Sequence, residues 1–533
     1  MAKAYALLQP ANDGNYASTG MDKPHEAFNS IKLHRDWLGD KYDEAIGFAF
    51  PGRKGIMTDA EQSECYDDTA VVAAQEFASR IQAGVTPNFT RWHAHIAGMI
   101  IDDEDEKKEI NALLQTVDEF IFELINTSNF QTEANECYQD LAVGTMAMEV
   151  EEADETIPLV CQAVPLSELH FGLGPDGHPD PIARERYLTV REIEVLAPMA
   201  NLPPELERMA GGKECRYKIV SIHQRDWSER AAHRYRCTWF MPDTNNKIIW
   251  QYEEEGPGSR KIIVTRWSKA SGEVWGRGPL IQCLPSMRTV NFAMKAVIDH
   301  ADMALAGIWS AEDDGVFNTE TVTLEPGTIV PRAPGSQPLQ NVVPGSNFDI
   351  QQFLIEEHRN NIRKALFTEQ LGNPNKTPMS ATEVDQRMAE LARAIGAPFG
   401  RLVLEFVMPF VERVRWILRK RKLIKLPEVN GKEIKAVPTS PLAQGQRYED
   451  IDKTTKFIAT IGQLFGPEAA ALTIDTTEAS LYLGERYQVP EKIVRPRKEQ
   501  AQLSAKIAQA AQGAQGGGMG EGQAEPEPAP APA

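Results

Sequence analysis

The 533-residue sequence predicts a predominantly helical α+β fold, and three observations carry that reading. A window from Ile157 to Trp267 consists of short β-branched and aromatic runs separated by turn residues. The sequence on either side of it has helical periodicity instead. From Ser380 onward, apolar residues then recur at helical spacing for about forty residues, the longest such run in the chain. Hydrophobic residues at 42%, charged residues at 25% and aromatics at 8% match a globular protein, so only the ends are candidates for disorder. The length suffices for two or three packed regions.

Taken in order, Lys23 to about Val150 reads as mostly helical, with Phe120, Phe122, Leu124 and Ile125 crowding one segment and Leu141, Val143 and Met146 another. The run Asp102 to Lys108 suits a solvated helix start, because acidic side chains favour the positive end of the helix dipole. Strand-like segments follow at Ile157 to Val164, Tyr217 to Ile222, Tyr235 to Met241, Lys247 to Tyr252 and Lys261 to Trp267. Turns such as Pro242-Asp243-Thr244-Asn245 and Gly256-Pro257-Gly258 divide them. A helical insert around Leu202 to Leu206 interrupts this antiparallel region.

The stretch from Glu273 to Leu418 carries the most information. It opens with Glu273-Val274-Trp275-Gly276-Arg277-Gly278-Pro279, read as a flexible turn with Pro279 at a helix start. About thirty residues of helix follow, and then a β-rich insertion with Asp313-Asp314-Gly315 and Glu325-Pro326-Gly327. The chain turns helical again near Phe348, with Ile350, Leu354, Ile362 and Leu366 on one line beside His358. A polar loop, Asn373-Pro374-Asn375-Lys376-Thr377, separates that helix from the last one. The last helix starts at Ser380, with Glu383 three residues on as in a capping box, and runs through Phe399, Phe406, Phe410 and Ile417 to Lys422. Such a run spans on the order of 60 Å, and Gly396, Pro398, Gly400 and Pro409 should bend or interrupt it. Shorter helices are expected from Tyr448 to Phe465 and Glu491 to Gln512, followed by a disordered Gly-, Ala-, Pro- and Glu-rich tail from Gly513 to Ala533.

The net charge of −20 argues against tight, sequence-specific nucleic-acid binding, which normally needs a basic surface. It does not exclude a channel through which DNA slides, since a surface that repels phosphates avoids sticking. Cys65, Cys137, Cys161, Cys215, Cys237 and Cys283 have no Cys-x-x-Cys spacing and fit free thiols in a reducing compartment. The N-terminus lacks the apolar core of a signal peptide, and no apolar run approaches the roughly 20 residues that span a bilayer. A soluble, intracellular protein without membrane contact is expected.

Catalytic motifs are weak. No Gly-x-x-x-x-Gly-Lys-Ser/Thr run, Gly-x-Ser-x-Gly elbow or His-Glu-x-x-His helix occurs. Gly172 to Gly177 has the glycines of a phosphate loop, but Pro175 removes a donor and Asp176 adds a negative charge, which favours a plain turn. His93 and His95, or His170 with His178, could supply imidazoles to a metal. No cysteine or carboxylate stands at a matching short spacing, which favours ordinary histidines. No catalytic residue, cofactor or metal ligand is assigned, and the expectation is not an enzyme.

Glu273 to Pro279, Arg288-Thr289-Val290-Asn291, the Asp314-Gly315-Val316 and Glu325-Pro326-Gly327 insertion, and Met379 to Val384 with Arg387 and Glu390 together resemble the head-to-tail connector, or portal, proteins of short-tailed, T7-like bacteriophages. The order of elements follows that family from about Lys23 to Arg497. The resemblance implies a portal-type fold with wing, stem, clip and crown regions. Residues 1–272 would form a wing, 273–306 a first stem helix, 307–346 the clip and 347–367 a second stem helix. Residues 368–379 would form the tunnel loop, 380–422 a long wing helix and 423–512 the crown. It places Arg277, Gly278, Pro279, Arg288, Arg359 and Arg363 in the stem. Asp313, Asp314, Gly315, Glu325, Pro326 and Gly327 fall in the clip, and Asn373, Pro374, Asn375, Lys376 and Thr377 face DNA from the tunnel loop. Lys376 would offer one mobile charge for transient phosphate contact.

The implied function is a homo-oligomeric ring, a dodecamer, at one capsid vertex of the virion, assembled in the host cytoplasm. Double-stranded DNA passes through it without sequence specificity. The implied partners are the terminase motor, a tail adaptor, scaffold and capsid proteins, and internal core proteins. Two other readings differ in class: a metal-dependent hydrolase using His93, His95, Asp102 and Asp103, and another capsid or tail adaptor. Adaptors are usually shorter and lack the helix, insertion, helix, loop and long-helix series.

Overall fold

Helices α1 (Pro24–Arg35), α2 (Gly39–Ala49) and α3 (Thr69–Val85) lead into strand β1 (His93–Ala97), then α4 (Glu104–Thr127) and α5 (Phe130–Val143). The computed structural model describes residues 23–35, 38–53, 55–56, 65–97, 104–153, 158–203, 215–228, 233–306, 309–310, 340–341, 348–368, 395–424, 434–475 and a few positions between 479 and 506. The strand region holds β2 (Thr145–Glu152), β3 (Leu159–Ala163), β4 (Leu169–Leu173), β5 (Pro179–Thr189), a short helix α6 (Val190–Leu196), β6 (Arg216–Arg225), β7 (Tyr235–Met241), β8 (Lys247–Glu254) and β9 (Ile262–Arg266). Beyond it lie α7 (Pro279–Ala306), the two-residue strands β10 (Trp309–Ser310) and β11 (Gln340–Asn341), and α8 (Phe348–Ala365). The chain closes with α9 (Ala397–Leu402), a π-helical turn (Val403–Val407), α10 (Met408–Lys420), β12 (Ile434–Pro438) and α11 (Pro441–Thr473). This is the α+β architecture expected. Among the described residues no helix is long and apolar enough to cross a membrane.

The antiparallel strands form a five-stranded sheet in the order β4-β5-β6-β7-β8 and a three-stranded sheet in the order β3-β2-β9. Two-residue alternation gives the larger sheet two apolar faces. Val220, Ile222 and Phe240 point to α1, where Phe28 and Ile31 cover them. Ile219, Cys237, Trp239 and Met241 point the other way, against Val190 and Ile193 of α6. A capping box fixes the start of α6: the Thr189 N–H donates to Glu192 at 2.7 Å, and the Glu192 N–H donates to the Thr189 hydroxyl at 3.3 Å.

The smaller sheet lies in the main core with α5 and α10. Phe130 and Phe410 pack at 4.4 Å between centroids, and Trp92 stacks on Phe130 at 5.8 Å.

Several expectations shift. Helical character ends at Val143 rather than near Val150, because Gly144 adopts φ 153° and β2 begins, placing Met146 in a strand. The first six residues of β2 are all buried, so no polar-apolar alternation reveals the strand. Strands β4, β5 and β12 were not anticipated either. The run after Ser380 is interrupted, and the break falls at Gly396, one of the positions expected to bend it. Its first part, Ser380 and Glu383 included, lies outside the described residues; from Ile395 onward a break at Gly396 (φ 45°, ψ −114°) and a π turn divide it, and it ends at Lys420. Pro398 sits in the first turn of α9, where a missing N–H costs nothing, and Pro409 follows directly on the π turn.

On α8 the buried residues are Ile355, Ile362 and Leu366, while Leu354 is 41% exposed. A strict four-residue line drifts by about 40° per step on a 3.6-residue helix, so the apolar stripe crosses over it. Helix α11 starts seven residues before Tyr448 and breaks at Gly466 (φ 84°). The insert near Leu206, most of Glu491 to Gln512 and the tail from Gly513 lie outside the described residues.

Candidate functional site

Helices α7 and α8 pack as an antiparallel hairpin, and the residues at its base explain the Glu273 to Pro279 motif. This stretch is not the flexible turn expected from its glycines. The Gly278 N–H donates to the Val143 carbonyl at 2.9 Å, the Arg277 N–H to Ser268 at 2.6 Å and the Gly276 N–H to the Thr145 hydroxyl at 3.0 Å. Tyr42 donates its hydroxyl to the Gly276 carbonyl at 2.6 Å. A Cβ at Gly276 would lie 2.1 Å from the Gly144 carbonyl oxygen, and one at Gly278 would lie 2.2 Å from that of Ala142. The glycines therefore let the backbone entering α7 lie directly on the α5–β2 corner. Arg277 folds back on Glu273, donating its Nε at 2.8 Å, and Pro279 opens α7 as predicted.

Polar contacts then fasten the hairpin to the N-terminal helices. Arg288 makes a two-pronged pair with Glu44 on α2. The Asn291 side-chain carbonyl accepts from the Tyr66 N–H at 2.6 Å, and the Lys295 ammonium lies 5.4 Å from the Tyr66 ring. On α8, Arg359 donates to Asp67 at 2.6 and 2.9 Å and to Glu356 at 3.1 Å. Burial works against that charge, but the bonds from Asp67 and Glu356 outweigh it and raise the guanidinium above its ordinary range. His358 and Ser286 approach to 3.3 Å between the two helices. Arg363 donates to Asn360 at 3.2 Å, and its carbonyl accepts the Thr368 N–H at 2.8 Å, closing α8.

The chain just after α8 is fixed by contacts to distant segments. Phe367 adopts φ 57°, lies 6.0 Å from the Trp267 ring and accepts a 2.6 Å hydrogen bond from Arg80 on its carbonyl. Ile395, just before α9, is buried. Ten residues further on, Glu405 in the π turn receives Arg266 Nη2 at 2.6 Å, Nε at 3.2 Å and the Arg266 N–H at 3.0 Å. Arg266 also donates to the carbonyls of Val274 and Gly177, so one buried guanidinium joins β9, the hairpin base, the β4–β5 turn and the helix that follows the loop. The arrangement is a helical hairpin held at its base and along its length by hydrogen bonds and ion pairs.

Of the site residues expected from sequence, Arg277, Gly278, Pro279, Arg288, Arg359 and Arg363 come together along this hairpin. Asn373, Pro374, Asn375, Lys376 and Thr377 lie outside the described residues, as do Asp313, Asp314, Gly315, Glu325, Pro326 and Gly327. Sequence reasoning missed Glu44, Asp67, Arg266 and Glu405. Their partners lie up to 292 positions away, and no local spacing marks them.

The histidine readings resolve separately. His93 and His95 both lie buried on β1, and His95 pairs with Asp118 of α4, whose other oxygen accepts the His95 N–H at 2.6 Å. Burial pushes the His93 imidazole down to about 3. Asp102 and Asp103 are outside the described residues. His170 is buried beside Arg35 at 3.1 Å, while His178 is exposed at the β4–β5 turn. Gly172 lies in strand β4, and Gly174 to Gly177 does form a turn, with the Gly177 N–H donating to the Gly174 carbonyl at 2.9 Å. Among the described residues no group of three or more His, Cys, Asp or Glu could hold a metal.

Comparison with known proteins gives concordant matches. The sequence model of the bacteriophage head to tail connecting protein family matches residues 22–494. A curated relative described as a probable portal protein, from Bordetella phage BPP-1, is 20% identical over 478 residues, covering 84% of each chain. Similar solved structures include the neck of an empty GTA particle computed with C6 symmetry (12% identity, 84% of this chain and 94% of that chain, TM-score 0.37). The neck of the native GTA particle computed with C12 symmetry is another (12% identity, 84% and 99%, TM-score 0.34).

Proposed function

Because the chain belongs to the bacteriophage head to tail connecting protein family, we propose that it is the portal subunit of a phage particle, acting at the junction of head and tail. The observation that carries this reading is the family match over residues 22–494, which takes in every element from α1 to α11.

In this reading identical subunits close into a dodecameric ring. Helices α7 and α8 are the stem, residues 307–346 the clip, 368–379 the tunnel loop, 1–272 and 380–422 the wing, and 423–512 the crown. The hairpin supports that assignment, because a stem must hold its tilt while DNA passes, and α7 is fixed at its base and at three points along its length. Double-stranded DNA is packaged inward and ejected outward through the ring, driven by an external terminase. Tail adaptor, scaffold, capsid and internal core proteins dock outside. The mechanism is geometric and uses no catalytic residue. An acidic subunit of net charge −20 disfavours tight phosphate contact along the channel, and Lys376 of the tunnel loop supplies brief contact. Assembly takes place in the host cytoplasm and the product stays in the virion.

Gold labelling of an epitope-tagged chain in intact particles tests this. Label at a single vertex is expected; label spread over the whole shell, or absent from it, would contradict the proposal.

A further inference from the structure

Where the end of β9 meets the π turn, the chain carries more positive than negative charge, although its net charge is −20. Three hydrogen bonds from Arg266 to Glu405 hold the two elements together. Lys269 stands three residues beyond Arg266, and Arg401 stands four residues before Glu405, so both cations lie beside that buried pair. Neither carboxylate of this corner is left for them. Glu405 gives both oxygens to Arg266, and Glu273 gives both of its oxygens to Arg277.

Among the described residues, no hydrogen bond or ion pair engages the side chain of Lys269 or Arg401. The other guanidiniums of the fold are treated differently: Arg184 meets Glu149 and Glu168, Arg288 meets Glu44 and Arg359 meets Asp67. One terminal nitrogen of Arg401 is buried without any hydrogen-bond partner. An unmade bond of that kind is costly, and a guanidinium cannot shed its proton to escape the cost. Lys269 responds in the other way open to a cation. Its ammonium is pushed below its ordinary range, first by desolvation and then by Arg266 and Arg401, with Glu405 acting against them.

We propose that Lys269 and Arg401 form an anion site that takes a phosphate group, carried on a DNA strand or free in solution. The planar guanidinium presents parallel N–H donors that match two phosphate oxygens, and the ammonium adds a mobile point charge. Both side chains are only half-buried, so an incoming anion reaches them. The ligand supplies the negative charge that the corner lacks. The site goes beyond the portal reading and stands independently of ring closure.

The test uses the full chain and the double variant Lys269→Gln/Arg401→Gln, with inorganic phosphate as the first probe and chloride at matched ionic strength as the reference. Phosphate raises the melting temperature of most proteins by exclusion from their surface, so the site is read as the extra rise of the parent over the variant. An equal rise in both would overturn the proposal. In chloride the variant should melt no earlier than the parent, because no described hydrogen bond is removed; earlier melting would give the two cations a structural role and overturn it as well. The second probe is a short fluorescent DNA duplex, followed by anisotropy across a salt series. If the phosphate belongs to DNA, the variant binds the duplex about ten-fold more weakly and its salt slope falls by about one to two. Loss of the extra rise with unchanged duplex binding assigns the site to free phosphate.

Discussion

Among single residues, the Arg266–Glu405 pair has the largest expected effect. Arg266 is 1% exposed and Glu405 7%, and the guanidinium has no water to fall back on. Glu405→Gln leaves that charge buried without its counter-ion, so the variant should lose about 3–5 kcal/mol in denaturant unfolding, and Arg266→Met with Glu405→Leu should recover part of the loss. A single variant with the parent's midpoint would show that the pair carries no weight. The pH response is also a residue-scale matter. His93 sits near 3 when folded against 6.5 for the free group, so its contribution to stability is fully present above 6.5 and is lost as pH falls toward 3. His223, also pushed down to about 3 by burial, acts in the same direction. Asp140, pushed up to about 6 by burial, partly opposes them, since it favours the folded state as pH falls through 6. His93→Phe should therefore make stability fall less steeply below pH 6, by about 1.4 kcal/mol per pH unit. Parallel curves for parent and variant would contradict the assignment. At this scale the sequence is legible only where chemistry is local. Pro279 announces a helix start, whereas Arg266 and Glu405, 139 positions apart, carry no mark of each other.

At the scale of elements, legibility follows burial. A strand with one exposed face, such as β8, alternates visibly and is located to within two residues, whereas β2, six of whose residues are buried in succession, reads as helix. The Glu273 to Pro279 motif was located correctly but its mechanics were misjudged, because glycine signals close backbone approach as readily as freedom. The hairpin was legible in outline, and the anchor at Phe367 was not, since it depends on Trp267 and Arg80 from distant segments. This anchor leads to a specific expectation. Deleting Asn373 to Thr377 removes no described contact of the hairpin, so ring assembly should be retained while packaging or genome retention fails. Loss of assembly in that deletion would make the loop a structural element instead.

For the whole molecule, membership of the bacteriophage head to tail connecting protein family is the basis of the proposed ring. In the proposed ring, the acidic balance fits a passage that must not hold DNA. Ring closure is the central claim, because channel, vertex position and docking all depend on it. Electron microscopy of the purified full-length chain tests it most directly. Class averages should show closed rings with a central hole; monomers or dimers alone, under every assembly condition tried, would contradict the account.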